Sequence, residues 1–306
     1  MLPKVYIIIL NWNGLNDTID CLESLRQIDY ENYEIIVVDN NSFGDDIKIL
    51  KEKYINYVSQ FLINNENLGF AGGNNVGIKC ALDSGADVVL ILNNDTTVEP
   101  NFLSKLVESS NLNSEVGVLT PMINFYSNKS TVWFAGGYIS KIRTSGIPLG
   151  INKSENLFQK SKYCTFASGC CMYVKKEVFD KIGFFDENYF LFLEDTDFSW
   201  RVSNSGFKIL YEPSSKIYHR VSSTISRTSS MLNIYFNLRN RLFFARKNLD
   251  IKYYFFIITL LMLSLMTKII FVKNRVRMIK TVFYAIKDFQ KKNMGMGSFD
   301  KIVSIM

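Results

Sequence analysis

Four strand-length runs, Val5–Leu10, Glu34–Val38, Val58–Ile63 and Val88–Leu92, recur through the first hundred residues. All are rich in apolar, mostly β-branched residues and bounded by turn formers, the pattern of buried strands. The intervening segments Asn16–Leu25, Asp46–Lys53 and Gly73–Ser84 have helical character; Ile19, Leu22 and Leu25, for example, share one face. Strands alternating with helices at this pitch imply βαβ units, a mostly parallel sheet and right-handed crossovers. A parallel sheet gathers the C-terminal ends of its strands on one edge, where open α/β folds bind ligands.

Those ends are polar: Asn11-Trp12-Asn13-Gly14, Asp39-Asn40-Asn41-Ser42 and Asn93-Asn94-Asp95-Thr96, with the Asn/Gly-rich loop Asn64–Gly77 after the third strand. Their convergence makes a site of nucleotide size. Asp39 can accept a hydrogen bond from a base imide and Trp12 can stack on the base, with Asn11 and Asn41 beside them. Asn67, Gly69, Phe70, Asn74 and Asn75 are expected against a sugar or pyrophosphate. Asn93 and Asn94 lead to Asp95, a candidate ligand for Mg²⁺ or Mn²⁺, hard ions that take oxygen donors and keep phosphate or water in their other positions. Capping of the following turn would also account for Asp95. The loop has neither a P-loop lysine nor the GxGxxG order, which argues against an ATPase or a dinucleotide fold.

The second half is less regular. Val116–Leu119, Val132–Phe134, Phe166–Val174, Lys208–Tyr211 and Lys216–His219 read as strands and Lys176–Ile182 as a helix, while Gly136–Asn156 reads as a mobile loop. Gly169 is placed where a ligand needs close approach. Glu194 and Asp195 stand before a helix over Phe198–Ser205, more carboxylate than a cap requires, and crowded like charges mark a base. Asp197 and Arg201, one turn apart, form either a structural pair or part of an acceptor site.

The succession IIILNWNG, IIVVDNNSFGD, NNENLGFAGGNNVG, LILNNDTTVEP and FASGCCMYVKKEVFDKIGFFDENYFLFLEDTDFSWRVSNSG…YHR resembles glycosyltransferase family 2, and within it the rhamnosyltransferase-like enzymes, over about residues 4–247. The resemblance implies a GT-A fold and inverting transfer from a nucleotide-diphosphate sugar. It makes Asp39 the base-binding aspartate and Asp195 the catalytic base, with Glu194 beside it. Asn93-Asn94-Asp95 falls at the family's DxD motif, with Asn93 replacing the first acid, and His219 falls where many members have a metal-coordinating histidine. The QxxRW motif of processive members is absent, which implies addition of one sugar or few. A UDP- or dTDP-type donor and a saccharide acceptor follow. The competing readings are a sugar-phosphate nucleotidyltransferase, disfavoured by the lack of a basic residue in Asn11–Gly14, and a non-catalytic saccharide binder.

Net charge is +6, of which residues 239–292 hold +11 and the remainder −5. An acidic body with a basic, apolar tail suits a membrane surface and not a nucleic acid. Met231–Lys247 is amphipathic and basic, Tyr253–Val272 carries only Lys268 as charge, Ile270–Gln290 is amphipathic again, and the last residues are expected to be loose. An interfacial helix or hairpin is the preferred reading of the tail, ahead of a single span, with a buried helical hairpin packed on the body as the alternative. The domain division expected is 1–230 for catalysis (donor half 1–100, acceptor half 101–230) and 231–306 for membrane association. The first apolar run is too short for a signal-peptide core, so the chain is expected at the cytoplasmic face of the membrane with a lipid-linked acceptor. A homo-oligomer is left open. Five scattered cysteines suit a reducing compartment.

Overall fold

The computed structural model describes residues 2–221, 230–271 and 274–305. The first half alternates as expected: β1 (Val5–Asn11), α1 (Leu15–Leu25), β2 (Tyr33–Asp39), α2 (Asp46–Tyr54), β3 (Gln60–Ile63), α3 (Gly69–Asp83) and β4 (Val88–Asn93). These strands run parallel in the order β3-β2-β1-β4, with Ile8 level with Ile36 on one side and Ile91 on the other. Alternation along β1 divides the core: Val5, Ile7 and Ile9 pack toward α1 and α2, while Tyr6 and Ile8 pack toward α3.

The chain continues through β5 (Thr96–Val98), α4 (Phe102–Leu112), β6 (Val116–Phe125), β7 (Asn128–Phe134), β8 (Gly137–Ser140), β9 (Ser145–Pro148), β10 (Lys153–Ser154), β11 (Lys162–Cys164), β12 (Cys171–Lys175), α5 (Lys176–Ile182), α6 (Glu194–Asn204) and β13 (Lys208–His219). Strand β12 runs antiparallel between β4 and β6 and joins the second half to the parallel strands. Strand β13 lies parallel to β6 and antiparallel to β5. This is a mixed α/β sheet with helices around it.

Three expectations need correction here. Residues 136–156 are ordered: β8 and β9 form a hairpin, β10 pairs with β7, and a 3₁₀ turn follows at Glu155–Phe158. The hairpin lies flat on the Phe166 ring, which a Cβ at Gly146 would approach to 2.5 Å, so composition that reads as loop is what permits the packing. The expected strand Phe166–Val174 begins only at Cys171, because Ser168–Cys170 turns, with Cys171 N–H donating to the Ser168 carbonyl. The two expected final strands are one, β13, with a register shift between Glu212 and Lys216.

The C-terminal region forms α7 (Ser230–Asn248), α8 (Ile251–Phe271), α9 (Arg275–Lys291) and α10 (Phe299–Ser304). Phe236, Leu242, Ile257, Leu261, Ala285 and Phe289 make a third core that includes Phe190 of the body. The last residues are not loose, since α10 buries Ile302 in that core. Among the described residues no helix is long and apolar enough to cross a membrane. Residues 272 and 273 of the expected hydrophobic segments, and the Lys268 side chain, lie outside the described residues.

Candidate active site

The strand ends of β1, β2 and β4 meet at one edge, as a parallel sheet demands. Asp39 ends β2 level with Asn11 of β1. The Asn11 amide donates to Asp39 Oδ1 (2.9 Å), and Ser42 N–H donates to Asp39 Oδ2 (3.0 Å), which fixes the carboxylate plane. Asn11 receives the Thr18 hydroxyl at 2.8 Å and is fully buried, so it holds Asp39 in place and does not face a sugar. Trp12 and Asn41 stand partly or fully exposed beside it, and Asn41 adopts φ 63°, a conformation asparagine tolerates. Phe43, 78% exposed in the same loop, escapes a reading that looks for polar clusters; its signal is a lone aromatic inside Ser42–Asp46.

A second hub is Asn40. It donates to Asn67 Oδ1 (2.8 Å) and the Gly69 carbonyl (3.0 Å), and accepts from Asn64 Nδ2 (3.0 Å) and Leu68 N–H (3.1 Å). Asn67 also caps the turn by accepting Gly69 N–H at 2.8 Å. Helix α3 starts at Gly69, four residues earlier than expected, so Asn74 and Asn75 are buried in a helix and leave the donor loop. Asn75 exchanges hydrogen bonds with the backbone of Phe185, and Asn74 bonds the Phe70 carbonyl. Gly69, at φ +71°, is needed for the backbone of Phe190, whose carbonyl would lie 2.2 Å from any Cβ there, rather than for a ligand.

Asp95 and His219, 124 residues apart, meet because β13 pairs with β5 so that His219 lies opposite Thr96. His219 Nε2 stands 3.1 Å from Asp95 Oδ1, both side chains at most 7% exposed. Trp133 packs edge-on against the imidazole, ring centres 4.5 Å apart. An oxygen and an imidazole nitrogen at this spacing suit neighbouring positions around a divalent cation, since ligand distances of about 2.0–2.2 Å at right angles put adjacent donors about 3 Å apart. Among the described residues no three His, Cys, Asp or Glu side chains cluster. Phosphate or water would therefore supply the remaining donors, as hard ions allow. Asn93 is half-buried at the end of β4, and the Asn94 amide is turned back to Thr18 Oγ1 at 3.0 Å.

The second acidic set opens α6, which starts at Glu194 and not at Phe198. Gly169 N–H donates to Asp195 Oδ2 at 3.1 Å, and Thr196 N–H donates to Oδ1 at 2.7 Å. Cys170, next to Gly169, accepts Asn93 N–H at 2.9 Å. Two consecutive residues thus tie the Asp195 carboxylate to the Asn93–Asp95 strand end. Gly169 also lies against the Phe70 ring, which a Cβ there would meet at 3.0 Å, so a larger side chain needs that ring to give way. Burial pushes Asp195 above the usual carboxylate range against the pull of its two backbone donors. Burial, then the Asp195 charge, pushes Glu194 well above that range, and among the described residues no partner reaches Glu194 Oε2.

Phe192 (φ 69°) and Leu193 (φ 72°) precede this pair in the left-handed region, strain of about 1–3 kcal/mol each for residues with a side chain. Asn240 of α7 holds the turn by donating to both the Leu191 and Phe192 carbonyls at 2.9 Å. No sequence reading singled it out: it is one of four asparagines in α7, and only the structure shows that its side chain is fully buried. Asp197 and Arg201 do not face an acceptor. Asp197 is wholly buried and binds Arg201 Nε, Lys247 and Asn248, while the Arg201 guanidinium caps the Ile182 and Phe184 carbonyls at 2.7 Å.

A polar strand-end edge facing a buried carboxylate pair on this sheet defines a GT-A glycosyltransferase. The chain belongs to glycosyltransferase family 2: the model described as "Glycosyl transferase family 2" matches residues 6–183. A dTDP-rhamnosyl transferase of Shigella flexneri is 25% identical over 81% of this chain and 82% of its own length. The N-acetylglucosaminyl-diphospho-decaprenol L-rhamnosyltransferase of Mycobacterium tuberculosis is 23% identical over 67% and 72%. Among solved structures, the TarS fragment 1–349 of S. aureus superposes with a TM-score of 0.55 at 16% identity, over 95% of this chain and 73% of the other. GalNAc-T7 with UDP, GalNAc and Mn²⁺ gives 0.59 at 17%, over 71% of this chain and 43% of that one. The chain is therefore a glycosyltransferase, not a sugar-phosphate nucleotidyltransferase or a non-catalytic binder.

Proposed function

We propose that this enzyme is an inverting, non-processive, metal-dependent hexosyltransferase that moves one sugar from a UDP- or dTDP-sugar to a hydroxyl of a lipid-linked saccharide. The observation that carries the reading is the Gly169–Cys170 bridge, which holds Asp195 Oδ2 on one side and the Asn93 backbone on the other. It sets a candidate base against the strand end where a donor diphosphate would lie. In this reading Asp195 removes the proton from the acceptor hydroxyl as it attacks the anomeric carbon from the face opposite the leaving group, one displacement that inverts configuration. Asp39 receives the base imide, with Trp12 alongside. Asp95 and His219 would hold Mn²⁺ or Mg²⁺, which when bound neutralises charge on the departing diphosphate. The relatives whose names carry dTDP-rhamnose and a decaprenyl-diphosphate saccharide favour this donor and acceptor class.

Association with the cytoplasmic face of a membrane is part of the proposal. Phe255, Phe256 and Leu263 of α8 and Val276, Ile279 and Phe283 of α9 are each more than half exposed, beside Arg275, Arg277 and Lys280. Apolar side chains among cations suit an anionic interface. The test is the full chain with UDP-, dTDP- and GDP-sugars, Mn²⁺ or Mg²⁺, and a saccharide linked through diphosphate to a lipid. Transfer by the wild type and its absence in Asp195→Asn, with donor binding kept, is the expected outcome. Full activity in that variant sinks the assignment of the base.

A further inference from the structure

A groove of about 420 Å³ runs between α7, α8 and α9, a size usual for small-molecule sites. Its lining mixes Leu238, Leu261, Leu265 and Met278 with the polar Asn233, Asn237 and Ser264, and among the described residues the one charged side chain lining it is Arg241. Arg241 Nε donates to Thr144 Oγ1 at 3.2 Å in the β8–β9 turn, beside the exposed Arg143. Thr144 is wholly buried at φ 47°, so this turn is held in a costly conformation. Among the described residues no carboxylate pairs with either arginine. Burial, then the Arg143 charge, lowers Arg241 from the ordinary guanidinium value. Like charges without a counter-ion are costly, and a bound polyanion relieves the cost. The same hairpin reaches the base: Gly146 N–H donates to Thr196 Oγ1 at 3.0 Å, next to Asp195.

We propose that this groove binds the anchor of the acceptor, an anionic diphosphate at Arg143 and Arg241 and the first stretch of its hydrocarbon tail along Leu238, Leu261, Leu265 and Met278. The inference rests on the lipid-linked acceptor proposed above and adds where that lipid lies. The saccharide then spans the short gap from the arginines across the hairpin to Asp195. Leu263 and Ile279, next in sequence to the lining residues Ser264 and Met278, are each more than half exposed, which leaves apolar surface for a longer tail. A single amphiphile accounts for both the unpaired cations and the apolar walls; a free anion accounts only for the first.

The test is equilibrium binding of farnesyl diphosphate to the full chain in buffer free of divalent cations, against farnesol and inorganic pyrophosphate. Farnesyl diphosphate should bind at least tenfold more tightly than either fragment. Arg241→Gln should weaken it tenfold or more and Arg143→Gln, at an exposed position, several-fold. Ser264→Trp, exposed on α8 and lining the groove, should weaken farnesyl diphosphate while leaving pyrophosphate unchanged. Wild-type affinity in Arg143→Gln and Ser264→Trp overturns the proposal whatever becomes of Arg241→Gln. Equal affinity for pyrophosphate alone reduces the site to an anion site and also overturns it. So does a parallel loss of Arg241→Gln from vesicles of anionic phospholipid, which would make the groove a reader of bulk headgroups. The readout uses neither donor nor transfer, so its failure is distinct from failure of the glycosyl-transfer assay.

Discussion

The donor edge and the catalytic turn are built on opposite plans. At the donor edge Asn11, Asp39, Asn40, Asn64 and Asn67 satisfy one another, all within the first seventy residues. Closed polar networks of this kind are rigid and need nothing from outside. The turn before Glu194 and Asp195 carries two left-handed residues, and its carbonyls depend on Asn240, some fifty positions downstream. The site is therefore rigid where a nucleotide would dock and conditional where chemistry would occur. Strain of this kind persists only where surrounding structure over-determines it, and here the C-terminal helices do so. A region expected to serve only as a membrane anchor thus also sets the geometry of the candidate base.

The largest effect expected is at Asp195. Asp195→Asn keeps an acceptor oxygen for only one of the two backbone donors, Gly169 N–H or Thr196 N–H, and removes the base, so kcat should fall by about 10²–10⁴-fold with donor affinity retained, measured by transfer rate and by donor titration. A loss of donor affinity instead would merge the two regions into one. Next is Asp95. Asp95→Ala should weaken donor affinity and raise the Mn²⁺ concentration needed for half-maximal rate, each by about tenfold, because in the proposed site a single carboxylate would carry most of the metal binding. An unchanged metal requirement would return Asp95 to a capping role.

How much of this was legible in the chain follows the same divide. Strands β1, β2 and β4 and helix α5 stand almost where the apolar pattern puts them, because burial and period coincide there. Helix α3 begins four residues before the pattern places it. Its glycines weaken helix propensity, yet they are what lets it pack: a Cβ at Gly77 would come within 2.5 Å of Ile8 Cγ2, and one at Gly73 within 2.6 Å of Leu10 Cδ1. Asn74 and Asn75 fall inside the helix and not in the loop for the same reason. The Asp95–His219 contact depends on strand pairing across 124 residues, which motif position anticipated and local pattern does not encode. Asn240 had no local signal, since its partners are backbone carbonyls of a distant turn.

Asn240→Ala tests the conditional half directly. It leaves two part-buried carbonyls without their donor, a cost of about 1–3 kcal/mol. The expected result is a kcat roughly tenfold lower with donor affinity unchanged, together with a lower Tm. Asn40→Ala should do the reverse and lose donor affinity along with stability. If Asn240→Ala lowered only Tm, the clamp would be structural and the catalytic turn would hold itself.

The smallest effect separates the two adjacent carboxyls. Burial and the Asp195 charge raise Glu194 well above its unfolded value of about 4.3, so the folded chain binds this proton more tightly than the unfolded one. Stability from that proton is complete below the unfolded value and is lost as pH rises through the folded one. Glu194→Gln, which mimics the protonated side chain, should melt near the wild type at pH 4 and above it at pH 8, with transfer changed only a few-fold. Asp195, also raised but held by Gly169 and Thr196, should place the acidic limb of kcat/KM above the ordinary carboxylate range in both proteins. If Glu194→Gln instead abolished transfer as Asp195→Asn does, the proton would belong to the pair, and assigning the base to one residue would be wrong.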